Sequence, residues 1–89
     1  MRRLTIVFEG HVQGVGFRWT AARVARDAGV VGWVRNEPDG SVRLVAEGAE
    51  SLINGFVANL RAAMRGYIRG EQPIWSEATG EFDSFEIRR

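Results

Sequence analysis

A glycine-rich run fixes where the first strand of this chain must give way to its first helix, at Gly10-His11-Val12-Gln13-Gly14-Val15-Gly16-Phe17-Arg18. Such glycines let consecutive backbone N–H groups point into one concavity, which favours an anion. A helix N-terminus adds partial positive charge, and Arg18 adds a full charge on a planar fork that suits phosphate. A tight turn with glycines for steric reasons alone is the simpler interpretation. Because Gln13 and Arg18 flank the glycines, the run favours a phosphate cradle.

The rest of the chain alternates between the two-residue period of strands and the longer period of helices. The predicted elements are a strand around residues 4–8, a helix over 17–28, strands over 30–36 and 42–46, a helix over 52–64, a weak strand over 67–75 and a strand over 82–88. Gly70 and Pro73 weaken the sixth element. The order β-α-β-β-α-β with an additional C-terminal strand predicts an α+β, ferredoxin-like sandwich, in which two helices pack on one face of a mostly antiparallel sheet.

Length and charge limit the classes of protein that this chain fits. Its 89 residues suffice for a single hydrophobic core, so residues 1–89 are expected to form one domain. A formal net charge of +1 argues against nucleic acid and membrane surfaces as partners. The absence of cysteine excludes disulfides, thiolate catalysis and zinc–sulfur sites. The N-terminus leads directly into the first strand pattern without a secretion signal, and no segment reaches membrane-spanning length, so cytoplasmic residence is expected. Its small size and composition also favour a monomer.

Asn36 is a second candidate for chemistry, at the end of the second predicted strand. A structural interpretation has its amide bonding to the backbone of the turn Glu37-Pro38-Asp39-Gly40. In a ferredoxin-like sheet, however, the first and second strands flank the third, which brings the end of the second strand near the glycine-rich run. There, an amide could hold a water molecule through one hydrogen and one lone pair.

Other polar and aromatic residues offer weaker signals. His11 is the only histidine and is expected at the surface, outside the cradle. The carboxylates are scattered over different elements, so neither a carboxylate dyad nor a metal site is expected. Trp19, Trp33 and Trp75 are expected to be core or half-buried packing residues.

Taken together, these motifs resemble the acylphosphatase family over nearly the whole chain. The first signature of the family is similar to the run Gly10–Arg18, and the second is similar to Gly32-Trp33-Val34-Arg35-Asn36, continuing through Asp39-Gly40-Ser41-Val42. Thr79–Phe82 and Phe85–Arg88 are similar to its C-terminal pattern. The chain departs from the family at Glu71-Gln72-Pro73, where the fourth strand usually carries alternating valines.

The resemblance implies a ferredoxin-like fold and hydrolysis of acyl phosphates to a carboxylate and inorganic phosphate, with a small-molecule acyl phosphate as the partner. It implies that Arg18 binds the phosphoryl group and that Asn36 orients the attacking water. The phosphate-binding residues that it implies are Gln13, Gly14, Val15, Gly16, Phe17 and Arg18. No metal and no organic cofactor is expected.

Two other functions stay open beside this one. A stand-alone domain of this fold could bind phosphate or acyl phosphates without turning them over, and domains of this kind also occur within hydrogenase-maturation proteins. Gly14-Val15-Gly16-Phe17-Arg18 also resembles the aromatic signature of RNA-recognition motifs, which share the same element order. That signature lies on a third strand, whereas here the third strand carries no aromatic residue, so RNA binding is not favoured.

Overall fold

A computed structural model describes residues 1–89 and contains seven elements in the predicted order. They are β1 (Arg2–Gly10), α1 (Phe17–Ala28), β2 (Val31–Asn36), β3 (Val42–Gly48), α2 (Glu50–Ala63), β4 (Ile68–Glu77) and β5 (Phe85–Arg88). The five strands form one sheet in the order β4-β1-β3-β2-β5, antiparallel except for the parallel pair β2–β5. The α+β, ferredoxin-like prediction with an additional C-terminal strand is confirmed.

The core lies between the sheet and the two helices. Alternate residues of β1 face it, so Leu4, Ile6 and Phe8 are buried. Helix α2 packs on the same core with its apolar face, which consists of Ile53, Phe56, Val57 and Leu60. Leu52, which is also apolar and lies in the first turn of α2, is 47% exposed. Its neighbour Ile53 takes the inward position, because successive helical residues are about 100° apart around the axis.

The fourth strand extends further along the chain than its sequence predicts. β4 extends from Ile68 to Glu77 along β1, with one register shift opposite Glu9 and Gly10, and forms one edge of the sheet. Pro73 stands opposite Ile6. Since proline has no N–H to donate, an edge strand tolerates it when its nitrogen faces away from the neighbouring strand. The last strand is shorter than predicted and begins at Phe85.

The pairing of the three central strands positions the candidate residues. Val42, at the start of β3, pairs with Phe8 near the end of β1 and with Asn36 at the end of β2. The loop after β1 and the end of β2 therefore lie at the same end of the sheet. β5 runs parallel to β2, so its last residues, Ile87 and Arg88, reach this end as well. Neither helix is long and apolar enough to cross a membrane.

Candidate active site

The loop between β1 and α1 has the backbone geometry of an anion-binding concavity. Gly14 and Gly16 have φ angles of 76° and 78°, in the left-handed region that L side chains rarely adopt. A Cβ atom built at either glycine meets no atom within 4 Å, so backbone conformation and not crowding requires glycine there. Left-handed residues that alternate with ordinary ones turn successive N–H groups towards one point.

The start of α1 leaves these N–H groups free. Gly16 caps the helix without any side-chain hydrogen bond, and the first turn contains no acidic residue. The first N–H donor of the helix is Thr20, which bonds to the Gly16 carbonyl at 3.0 Å. No backbone N–H from Gly14 to Trp19 has an acceptor within the chain. These unpaired donors, together with the helix dipole, favour a negatively charged ligand at this point.

Phe17 and Val15 fix the loop to the core by their side chains. The Phe17 ring is 2% exposed and its centroid lies 5.0 Å from that of Phe8. Val15 is half-buried and packs against the same core. These two residues hold the loop in place, and only their backbone groups remain available to a ligand.

Arg18 brings a full positive charge to the loop. Its side chain is half-buried and forms no ion pair with any carboxylate of the chain. Its one hydrogen bond runs from Nη1 to the carbonyl oxygen of Arg88, at 3.4 Å. This contact is long and neutral, so the guanidinium keeps donors available for an anion.

Asn36 lines the same cavity. It ends β2, is half-buried, and lines the cavity together with Gly14, Gly16 and Arg18. Its side-chain amide has no hydrogen-bond partner within the chain, which differs from the turn-bonding interpretation of this residue. An unpartnered amide beside a cluster of N–H donors can hold a water molecule against a bound anion.

Gln13 connects the glycine loop to the turn that follows Asn36. Its Nε2 donates to the carbonyl oxygens of Glu37 at 2.8 Å and Ser41 at 2.9 Å. Within that turn, Asp39 Oδ1 accepts from the Ser41 hydroxyl and from the Ser41 N–H, and these bonds lower the pKa of the Asp39 carboxyl. Both hydrogens of the Gln13 side-chain amide are thus used within the protein. The predicted role of Gln13 in phosphate binding is untested, and only its backbone N–H is available for it.

The cavity has a volume of about 200 Å³, and half of the residues that line it are apolar. The lining residues are Val12, Gly14, Gly16, Phe17, Arg18, Trp19, Asn36 and Ile87. The sequence interpretation missed Val12, Trp19 and Ile87 as site residues. It also expected Trp19 to be a packing residue, which is wrong because the indole is 65% exposed at the mouth of the cavity.

The remaining candidates lie elsewhere. His11 is exposed and does not line the cavity, and its backbone N–H donates to the Tyr67 carbonyl at 2.9 Å. No three His, Asp or Glu side chains come close enough together to hold a metal ion. The run Gly14–Arg18 leaves β1 and enters α1, so it does not lie on the strand that carries the RNA-recognition signature.

Comparisons with known proteins identify the family and the fold of this chain. The acylphosphatase family model matches residues 4–87. An acylphosphatase of Salinibacter ruber is 45% identical over 92 residues, which cover 99% of this chain and 94% of that protein. The crystal structure of acylphosphatase from Bacillus subtilis superposes with a TM-score of 0.93, at 30% identity and full coverage of both chains. HypF from T. kodakarensis contains the same fold in 12% of its chain, with a TM-score of 0.85 and 27% identity. This chain belongs to the acylphosphatase family.

Proposed function

We propose that this chain hydrolyses acyl phosphates with Arg18 and the backbone N–H groups of Gly14–Arg18 holding the phosphoryl group and Asn36 orienting the water. The reaction itself, hydrolysis of a carboxyl–phosphate anhydride, follows from membership of the acylphosphatase family. The observation that carries the proposed division of roles is the common cavity in which the unpaired donors, Arg18 and Asn36 face one another.

The chemistry requires little beyond position and charge. The water oxygen forms a bond to phosphorus while the bond between phosphorus and the acyl oxygen breaks. The acyl oxygen leaves as a carboxylate, so no strong general acid is needed. Negative charge on the phosphoryl oxygens is stabilised by fixed N–H donors and by the Arg18 guanidinium, which is the main source of catalysis in phosphoryl transfer.

The proton of the attacking water needs an acceptor, and the site supplies no basic side chain. Arginine has no lone pair to offer, and the asparagine amide is neutral. His11 lies outside the cavity. We therefore assign the proton to an oxygen of the substrate's own phosphoryl group, so that an acyl phosphate dianion and water give a carboxylate and dihydrogen phosphate, which then exchanges protons with solvent.

A turnover assay with benzoyl phosphate and acetyl phosphate, performed in the presence of a chelator, tests these roles. We expect Arg18→Ala to lower kcat/KM about 100- to 1000-fold and to weaken inhibition by inorganic phosphate, because it removes the charge that faces the phosphoryl group. We expect Asn36→Ala to lower kcat about 100-fold while inhibition by phosphate is retained, since the water and not the phosphoryl group loses its partner.

Matched controls separate these effects from general damage. Arg65→Ala and Asn59→Ala alter exposed residues of the same types outside the cavity and should leave turnover unchanged. Turnover of acyl phosphates that survives in Arg18→Ala would overturn the role of Arg18. A native chain that binds phosphate but turns over neither substrate would favour the alternative of a non-catalytic binding module. No observation on this chain supports that alternative.

We further propose that the active species is a monomer, because Arg18, Asn36 and the N–H groups of Gly14–Arg18 fill every role in the proposed reaction and leave none for a second chain. Light scattering during size-exclusion chromatography measures the mass directly. A mass near 9.9 kDa at the concentrations of the activity assay is expected, and a mass twice as large would contradict the proposal. Cytoplasmic residence stays a prediction.

A further inference from the structure

Two large apolar side chains stand exposed at the mouth of the cavity. Trp19, in the first turn of α1, is 65% exposed, and Ile87, on β5, is 42% exposed. Both line the cavity that also contains Arg18 and Asn36. Single exposed apolar side chains are common, but two that line one cavity beside an anion site form a patch that the apolar part of a ligand can cover.

The charges around this mouth are already assigned. Arg18 is the only charged side chain among the lining residues, and the proposed function uses it for the phosphoryl group. The Arg23 guanidinium lies 5.7 Å from the centre of the Trp19 ring and 3.9 Å from the Asp27 carboxylate, one turn along the helix. The lining of the mouth therefore offers no second charge to a polar acyl group, and it offers an indole face and a branched aliphatic side chain instead.

We propose that Trp19 and Ile87 form the acyl-binding part of the site and select acyl phosphates whose acyl group is aromatic. This inference rests on the proposed function, because it assumes that the phosphoryl group lies in the loop of Gly14–Arg18. The acyl group then extends from the loop towards the open side of the cavity. An aromatic ring there packs on the Trp19 indole and the Ile87 side chain, whereas an acetyl group is too small to cover either.

The predicted effect is a change in selectivity and not in chemistry. Stacking between aromatic groups adds to the burial of apolar area, and the two together correspond to about a tenfold gain in kcat/KM for an aromatic acyl group. Neither side chain contacts the reacting oxygens, so both act as specificity residues. Trp19→Ala should abolish most of the gain, and Trp19→Phe should keep much of it because a ring remains.

The experiment compares kcat/KM for benzoyl phosphate and acetyl phosphate in the native chain and its variants. Trp19→Ala is expected to lower the benzoyl-to-acetyl ratio about tenfold, and Ile87→Ala about threefold, with inhibition by inorganic phosphate unchanged. Ile74→Ala is the matched control, since Ile74 is 66% exposed on β4 at the opposite edge of the sheet, and it should leave the ratio unchanged. Circular dichroism verifies that each variant is folded.

A second measurement avoids catalysis altogether. A non-hydrolysable phosphonate that carries a phenyl ketone should bind the native chain about tenfold more tightly than its methyl counterpart in isothermal titration calorimetry, and Trp19→Ala should remove this difference. Equal losses for both substrates in Trp19→Ala, or an unchanged ratio, would overturn the acyl-binding role while leaving the proposed function intact. A native chain that hydrolyses neither substrate would instead overturn the proposed function, and equal affinity for both phosphonates would overturn the acyl-binding role independently of turnover.

Discussion

Gly16 joins two requirements in one residue, because it both caps α1 and closes the loop around the cavity. Its φ angle of 78° is in the left-handed region, and a Cβ atom there would meet nothing within 4 Å. An alanine at this position therefore meets no steric obstacle and carries only the cost of its backbone conformation, about 1–2 kcal/mol. In such a variant we expect the loop to relieve part of that cost by rotating its peptide planes, which would turn the N–H groups away from the cavity.

Replacing Gly16 should affect both the stability of the protein and its binding of phosphate. Gly16→Ala should lower the free energy of unfolding by about 1–2 kcal/mol and should raise the inhibition constant of inorganic phosphate about tenfold or more. Gly66→Ala is a matched control, since Gly66 has a φ of 93° and equally open surroundings but follows α2. It should be destabilised by a similar amount with phosphate inhibition unchanged. Thermal denaturation and inhibition kinetics measure both quantities, and equal phosphate inhibition in the two variants would contradict the cradle.

At this scale the sequence predicted backbone chemistry better than side-chain direction. The left-handed turn at Gly14 and Gly16 was predictable because few residues other than glycine adopt that conformation, whereas the role of Arg18 at an anion stays a prediction. Trp19 was misplaced because tryptophan is usually buried, a tendency that outweighed its position two residues after the core residue Phe17. Helical residues two positions apart in the sequence are separated by about 200° around the axis. Since Phe17 faces the core, the periodicity alone places Trp19 on the outer side.

Among the elements, the connection between the β1–α1 loop and the β2–β3 turn bears most directly on the site. Each of these segments carries one half of the proposed machinery, namely the phosphate loop and Asn36. Gln13 joins them through hydrogen bonds to the carbonyls of Glu37 and Ser41. Because these acceptors are backbone atoms, the connection fixes one segment against the other regardless of the turn's side chains.

The second prediction follows from this connection. Gln13→Ala should lower kcat about tenfold, because Asn36 is no longer held at a fixed distance from the loop, while phosphate inhibition changes less than threefold. A direct contact between the Gln13 side chain and phosphate would give the reverse pattern, with weaker phosphate inhibition and an unchanged kcat. Gln72→Ala is the control. Gln72 is an exposed residue of β4, and its side-chain amide donates to the Glu9 carboxylate of β1, away from the cavity. Steady-state kinetics with benzoyl phosphate distinguish the outcomes.

The strands also show what local sequence cannot determine. β1 and β3 were predicted because their apolar residues alternate, as strands with one buried face require. β4 was underrated because Gly70 and Pro73 disfavour a strand locally, yet pairing with β1 extends it over ten residues. The hydrogen bonds of that pairing come from a distant part of the chain, and an edge position removes the penalty of the proline. The Gln13 connection was missed for the same reason, since its acceptors lie more than twenty residues away.

Across the whole molecule, the segment between β4 and β5 passes over the face of the sheet that the helices leave open. Glu47 of β3 points to this face and is only 1% exposed. Its carboxylate accepts hydrogen bonds from Arg3 Nε at 2.7 Å, from the Thr79 N–H at 2.9 Å and from the Gly80 N–H at 3.0 Å. The Arg3 guanidinium also lies 5.3 Å from the centre of the Phe82 ring. One carboxylate thus attaches the crossing segment to the sheet.

The alternation of β3 would place Glu47 in solvent, because it stands on the opposite face from the core residues Leu44 and Ala46. Only the path of the crossing segment buries it, and strand periodicity contains no information on that path. Burial alone raises the pKa of the Glu47 carboxyl, but the Thr79 N–H, the Arg3 guanidinium and the Gly80 N–H outweigh it and hold the pKa below its usual value.

The depressed pKa makes the attachment of the crossing segment sensitive to acid. It contributes stability in full above the usual glutamate pKa of about 4.5 and loses it as the pH falls through the lower value of the folded state. Glu47→Gln should therefore lower the free energy of unfolding by about 1–3 kcal/mol at pH 7, with the gap to the native chain narrowing below pH ~4.5. Activity at pH 7 should persist, because Glu47 lies far from the candidate site. Asn36 pairs with Val42, and Glu47 is about 17 Å further along β3. Urea unfolding measures the gap, with exposed Glu86→Gln as control. A gap that stays constant in acid would contradict the ionised attachment.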